Sequence, residues 1–277
     1  MKRFAAVLAL CSIAATYALA ATPVALKTTE FGHGPTIVLL HGMGGARISW
    51  LPTAKKLLAD HHVVMMDLPG HGDSALPDPF SLEIAAEAIA KALATQKAES
   101  TVVVGQGVGG ALALMAAAAH PDRVRGVILL DAALKAGIQI PDQERQYFLQ
   151  YIDENYDEFI KSLVTREARD SLQAVTLRAQ ITRVPSVTIK AYLRDLLSMD
   201  ATRALKGFKP ALFYIGTEKH WPADTTWTVL ARQLGIDAPQ GIPARRIAGA
   251  GPLVATEQPD SLAAILREFT ARALAKK

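Results

Sequence analysis

The sequence predicts an α/β protein: a mostly parallel central sheet flanked by helices, with a helical insertion late in the chain. Strand-like apolar runs alternate with stretches of helical periodicity. The strand runs are continuously apolar, as expected where helices cover both faces of a sheet. After residue 134 the alternation gives way to a long stretch with helical spacing only. A chain of 277 residues, half of them apolar, is long enough for one domain with a substantial core.

TIVLLHG (36–42) is the first of these buried strands, and Trp50, Leu51, Ala54, Leu57 and Leu58 then recur at helical spacing. HHVVMMDLPGHGDS (61–74) reads as a second strand that ends in a glycine- and proline-rich loop. Ser81 is placed to cap the next helix, whose Leu82, Ala85, Ile89 and Leu93 share a face. TVVVGQGVGGALAL (101–114) runs from a strand through a glycine-rich turn into an alanine-rich helix that lasts to His120-Pro121. VRGVILLDAA (124–133) supplies another strand.

The insertion spans about residues 134–205, with Phe148, Ile152, Tyr156, Phe159 and Leu163 three or four apart and Pro185 breaking the helical pattern. Strand and helix then resume with PALFYIG (210–216), a helix from about 222, RRIAG (245–249) and a last helix. That helix is striped by Leu262, Ile265, Leu266 and Phe269. The aromatic residues Trp50, Trp221, Tyr147, Tyr151 and Tyr156 are expected to pack first and to touch a ligand second.

Residues 1–20 have the form of an export signal: Lys2 and Arg3, then AAVLALCSIAATYALA, with small residues at Ala18 and Ala20 before a cut ahead of Ala21. The apolar stretch is shorter than the ~20 residues of a membrane span. The expected mature chain is one periplasmic or secreted domain, 21–277, without a membrane span. Cys11, the only cysteine, lies in the removed segment, which excludes disulfides, thiolate zinc sites and a cysteine nucleophile. Lys2 and Arg3 account for two of the 30 basic residues, leaving the rest nearly level with the 26 acidic ones. No basic run points to nucleic acid, no ligand spacing points to a metal, and no cofactor is expected.

Six segments in order carry a resemblance: LLHGMGG (39–45), MMDLPGHGDS (65–74), VVGQGVGGALAL (103–114), HPDRVRGVILLD (120–131), PALFYIG (210–216) and IAGAGPLVATEQPD (247–260). Together they resemble the α/β-hydrolase superfamily, in its capped single-domain form. The resemblance implies a helical cap where the insertion lies and a nucleophile–acid–histidine triad. Its nucleophile sits in a G-x-S-x-G elbow, here Gly105-Gln106-Gly107-Val108-Gly109, which puts Gly107 at that place. The acid is expected three residues after Gly216, at Lys219, and the histidine at Pro252 in the last loop. None of the three can act as its counterpart. The resemblance also implies an oxyanion hole from the N–H groups of Met43 and Val108, with Gly44, Gln106 and Lys219 around it.

On this basis the favoured expectation is a non-catalytic, pseudo-hydrolase member that holds a small carbonyl or anionic ligand under the cap, or a protein partner. The alternative is an ester- or C–C-acting hydrolase or a lyase of unusual mechanism. It would use His220 with Glu218, or a group of the substrate, with Asp131 a further candidate acid. A third reading is dinucleotide binding. Gly105-x-Gly107-x-x-Gly110 follows a strand and opens a helix, with Asp131 about twenty residues on. His41 and His71 are expected to hold loops rather than to react.

Overall fold

The computed structural model describes residues 24–137 and 140–276, so the expected export segment lies outside the described residues. The chain opens with β1 (Thr28–Gly32), β2 (Thr36–Leu40), α1 (Leu51–Leu57), β3 (His62–Met66) and α2 (Leu82–Leu93). It continues with β4 (Thr101–Gln106), α3 (Val108–Ala119) and β5 (Gly126–Leu130). Four helices follow, α4 (Asp142–Glu154), α5 (Tyr156–Glu167), α6 (Ser171–Ile181) and α7 (Ser186–Leu196). The last elements are β6 (Ala211–Thr217), α8 (Trp227–Gln233), β7 (Ala244–Ile247), α9 (Val254–Glu257) and α10 (Pro259–Ala275).

The seven strands form one sheet in the order β1-β3-β2-β4-β5-β6-β7. Only β1 runs antiparallel, against β3; every other pairing is parallel. This is the α/β architecture that the apolar runs predict. β1 has no counterpart in the sequence reading, because TTEFG lies at the sheet edge, mostly exposed, and carries no apolar run. α8 starts five residues later than the helix expected from 222, where Thr226 caps it by accepting from the Val229 N–H.

Alternate residues of each central strand go to opposite faces, as the pleat requires. Val38, Leu40, Val103, Val127 and Leu129 join the core beneath α2, α3 and α8. Ile37, Leu39, Val102, Val104, Ile128 and Leu130 join the core beneath α1 and α10. A third cluster of Ile152, Ile160, Val164, Ile181, Val184, Ile189 and Leu193 holds α4–α7 together. Met43 packs on this third cluster and on the first, joining the cap to the sheet. Tyr147 and Tyr151 are exposed, so neither packs the cap nor lines a ligand pocket.

β3 is laid down on one side of β2 and β4 on the other, so the strand order reverses at β2, and such a switch point opens a crevice at the carboxyl ends of the strands. The loops there are held by buried polar contacts. Asp67, fully buried after β3, accepts from the Arg47 N–H at 2.7 Å, from the Asp73 N–H at 3.0 Å and from the Arg47 guanidinium. One carboxylate thus fixes both the loop after β2 and the loop after β3.

The turn between β4 and α3 explains its glycines by space. A Cβ on Gly105 would stand 2.2 Å from the Gly109 carbonyl oxygen, and one on Gly109 would stand 2.4 Å from the His41 carbonyl oxygen. One on Gly110 would meet the Ala132 Cβ at 2.5 Å. Gly107 differs: its φ is +53°, and a Cβ there would meet nothing nearer than the Gly42 Cα at 4.0 Å. Within the G-x-G-x-x-G spacing, Gly105 and Gly110 serve close packing of helix on sheet and Gly107 serves its positive φ, which accounts for the spacing without a dinucleotide.

Two outcomes are expected in urea unfolding. Gly105→Ala and Gly109→Ala push a Cβ into backbone, so both should lose more stability than Gly107→Ala, which meets only the ~1–3 kcal/mol of an unfavourable φ. Equal midpoints for the three variants would show that the elbow is not close-packed. Arg47→Ala leaves the Asp67 carboxylate buried without its cation and should cost about 3–5 kcal/mol; a loss under about 1 kcal/mol would show the pair to be worth no more than a surface one.

Candidate active site

The crevice between sheet and cap is a cavity of about 390 Å³. Its floor is built from the ends of the parallel strands: Gly42–Gly45 after β2, Gln106 and Gly107 at the β4 elbow, Asp131 after β5, His220 after β6 and Pro252 in the last loop. Leu163, Val164, Leu177 and Ile181 of the cap make an apolar roof, joined by Glu167.

A backbone cradle lies at the elbow. Among the described residues, none accepts a hydrogen bond from the N–H of Met43 or of Val108. Val108 is the first residue of α3, where the helix presents its positive end. Gly44 also lines the cavity, but its N–H donates to His71 Nε2 at 3.1 Å and is therefore spent. Gln106 is likewise engaged, its side-chain amide donating to the Pro252 carbonyl at 2.7 Å. That bond ties the last loop to the elbow.

The three histidines near the crevice sit in opposite electrostatic states. His41 is buried; its Nδ1 donates to the Gly42 carbonyl at 2.8 Å and its Nε2 accepts from the Leu68 N–H at 3.0 Å. Burial, then the neighbouring His71, lowers its pKa to about 3. His71 donates to the Pro69 carbonyl, and burial lowers its pKa to about 4. Both rings are neutral braces for the loop that carries Met43.

His220 has the opposite environment. Its Nδ1 lies 3.3 Å from Asp131 Oδ2 and its Nε2 lies 3.1 Å from Glu167 Oε2. Burial alone would lower its pKa, but hydrogen bonds and charge from Asp131 and Glu167 outweigh that and raise it to about 9. The hydrogen bond from His220 in turn holds the Glu167 carboxyl below its ordinary range, against burial. Asp131 is almost fully buried and adopts φ +48°, alone in that region among the described non-glycine residues. The N–H and hydroxyl of Thr217 donate to its carboxylate at 2.7 and 2.8 Å.

The structure separates His220 from Glu218, the partner expected from sequence. Glu218 is exposed, accepting from the Gly249 N–H at 2.7 Å and lying 3.7 Å from Arg246. The tight turn after β6, with His220 and Trp221 N–H groups both donating to the Thr217 carbonyl, sends His220 inward and Glu218 and Lys219 outward. Lys219 for the same reason is exposed and does not line the cavity, so it supplies no rim cation. Pro252 lines the cavity and offers no base. Asp131, a fallback candidate in the sequence, is the carboxylate that meets His220.

Glu167 is the residue that sequence reasoning missed. It lies on α5 four residues beyond Leu163, so it continues the inward stripe of Tyr156, Phe159 and Leu163. A carboxylate at the end of an apolar stripe was the available sign.

Comparison with known proteins bears on the function. A family model described as alpha/beta hydrolase fold matches residues 35–218. A pimeloyl-[acyl-carrier protein] methyl ester esterase of Xylella fastidiosa is 30% identical over 203 residues, 68% of this chain and 77% of that protein. A protein of the same name from Pseudoalteromonas atlantica is 34% identical over 160 residues, 54% of this chain and 60% of the relative. This chain thus spans less than two thirds of the Pseudoalteromonas protein. Among solved structures, a thermophilic esterase from Thermogutta terrifontis superposes with a TM-score of 0.72 at 19% identity, covering 90% of this chain and 94% of that one. An enol-lactonase from Burkholderia xenovorans gives 0.70 at 19%, covering 89% and 96%. These two likenesses speak to fold.

The relatives correct the expectation of a non-catalytic pseudo-hydrolase. Proteins 30–34% identical to this chain carry the name of an esterase, which favours an active hydrolase. With its parallel sheet, its elbow at Gly107 and a family model covering residues 35–218, the chain belongs to the α/β-hydrolase family.

Proposed function

We propose that this chain hydrolyses carboxylic esters with an apolar acyl group, using water in place of a side-chain nucleophile. The observation that carries the reading is the His220–Glu167–Asp131 cluster in the same cavity as the Met43 and Val108 N–H groups. An ester carbonyl seated at the elbow would receive both N–H groups, placed where negative charge develops as the carbonyl carbon becomes tetrahedral. The apolar roof of Leu163, Val164, Leu177 and Ile181 suits the acyl chain.

Gly107 has no side chain with which to attack, and the space where one would stand is open to the cavity. Attack by water is the course these residues support. The names of the relatives support methyl esters as the first substrates to try. A small-molecule ester is thus the ligand that we place under the cap, and we place the protein outside the cytoplasm on the strength of residues 1–20.

Purified protein should turn over short and medium-chain methyl esters above a heat-inactivated control, and serine-directed phosphonates should leave that rate untouched. His220→Ala should abolish it. Full activity in His220→Ala, or inhibition by a phosphonate, would sink the water mechanism.

A second expectation concerns stability. Folding raises the His220 pKa from 6.5 to about 9, so the ring's ion pairs contribute fully below pH 6.5 and fade as the pH rises to about 9. The difference in thermal midpoint between wild type and His220→Gln should therefore be largest near pH 6 and shrink by pH 10. A difference that grows with pH would contradict the assigned charge state. Protein recovered from outside the cytoplasm should begin at Ala21 by mass spectrometry; an intact Met1 in that material would contradict export by cleavage.

A further inference from the structure

The ester-hydrolase reading leaves the proton transfers unassigned, and the inference here rests on that reading. Inside the cavity, cap and core meet through Glu167 Oε2 of α5 against His220 Nε2 after β6, at 3.1 Å. The charged groups facing the ring are Asp131 on its Nδ1 side and Glu167 on its Nε2 side, with Arg166 the cation beside Glu167. Glu218 and Lys219, its chain neighbours, are exposed.

The rest of the cap corner holds this contact in place. Asp170 caps α6 by accepting from the Gln173 N–H at 2.8 Å. The buried Gln173 amide donates to the Glu257 carboxylate at 2.9 Å, and Arg169 donates to the Gly249 carbonyl. At neutral pH the ring carries a proton and the carboxylate facing it is ionised, the two held together at 3.1 Å. Two titratable groups whose surroundings push them into opposite roles are the usual basis of an acid–base pair.

We propose that Glu167 is the general base and His220 the general acid of the hydrolysis, a catalytic pair shared between cap and core. Glu167 takes a proton from water as the water oxygen bonds to the carbonyl carbon. The carbonyl π electrons move onto the oxygen held by the Met43 and Val108 N–H groups. When that carbonyl re-forms, the bond to the alkoxy oxygen breaks, its electron pair leaves with that oxygen, and the His220 Nε2 proton passes to it. The proton on Glu167 then crosses the contact to His220, which restores both groups. Ester and water are consumed, acid and alcohol are released, and no other reactant is needed. Asp131, held by Thr217, is a positioning residue that keeps the ring oriented and charged.

The test compares a methyl ester with a p-nitrophenyl ester of the same acyl chain, for wild type, Glu167→Gln and His220→Gln, from pH 5 to 10. Glu167→Gln should lower kcat by about 10²–10³-fold on both esters. His220→Gln should lower turnover of the methyl ester at least about tenfold more than that of the nitrophenyl ester, because nitrophenolate leaves without a proton. It should also remove the fall in wild-type rate near pH 9. A rate increase in Glu167→Gln at pH 7 would overturn the assignment, since Glu167 would then be blocking a basic His220. Equal losses on both esters in His220→Gln would overturn it too.

A measurement that needs no turnover separates the cases. The imidazole resonance missing from His220→Gln should titrate near pH 9 in wild type and lower in Glu167→Gln. A wild-type midpoint at or below 6.5 overturns the acid role even if esters are hydrolysed. No turnover of either ester by wild type overturns the ester reading itself, and the assignment with it.

Discussion

The site depends on how closely the N-terminus of α3 approaches the sheet. Gly105, Gly109 and Gly110 have no room for a Cβ, because the Gly109 carbonyl, the His41 carbonyl and Ala132 already occupy it. That approach brings the first N–H of α3 level with the loop after β2, so Val108 and Met43 line one cavity. It also sets Gly107 at φ +53°, at the point where β4 ends and the helix begins. Close packing, the cheapest term to specify in sequence, therefore sets the electrostatics of the cradle.

Charge in the crevice follows from which buried groups have partners. His41 and His71 are buried without a carboxylate at hydrogen-bond distance, so desolvation dominates and both rings stay neutral. As neutral rings each gives one hydrogen bond and accepts another, which suits a brace between loops. His220 is also largely covered, yet it has a carboxylate against each ring nitrogen and becomes a cation. The same side chain thus serves as scaffold twice and, in the proposed hydrolysis, as a reactive group once. Counting carboxylates around each ring separates the roles better than counting histidines.

The fold was legible because its strands are doubly covered, so that short apolar runs such as TIVLL, rich in β-branched residues, alternate with longer stretches of helical spacing. β1 escaped notice since an edge strand that is mostly exposed leaves no such run. Within the site, the elbow and the role of His41 and His71 were readable from the family resemblance. The partners of His220 were not. Glu218 lies two residues away in sequence, but the turn after β6 sends it to Gly249 and Arg246. Asp131 lies 89 positions before His220 and Glu167 lies 53 before it, so their meeting is set by sheet order and by the seating of α5. Periodicity does reach Glu167, as the next inward position after Leu163, but a stripe position names a direction and not a partner.

The proposed water mechanism reconciles Gly107 at the elbow with relatives named esterases once it is asked what a nucleophile contributes. In triad enzymes, removing a triad member still leaves about 10³–10⁴-fold catalysis over water, supplied by the oxyanion hole and substrate binding. Here the cradle of Met43 and Val108 is backbone, so no side-chain change removes it. A positioned acid–base pair adds a typical 10²–10⁴-fold. The two together reach the lower range of enzymatic rate enhancements, about 10⁶-fold and above, without a covalent intermediate. Direct attack by water also needs room beside the carbonyl, and Gly107 leaves that room open where a serine would fill it. In the proposed mechanism, the elbow residue that offers no side chain is the one that leaves space for water.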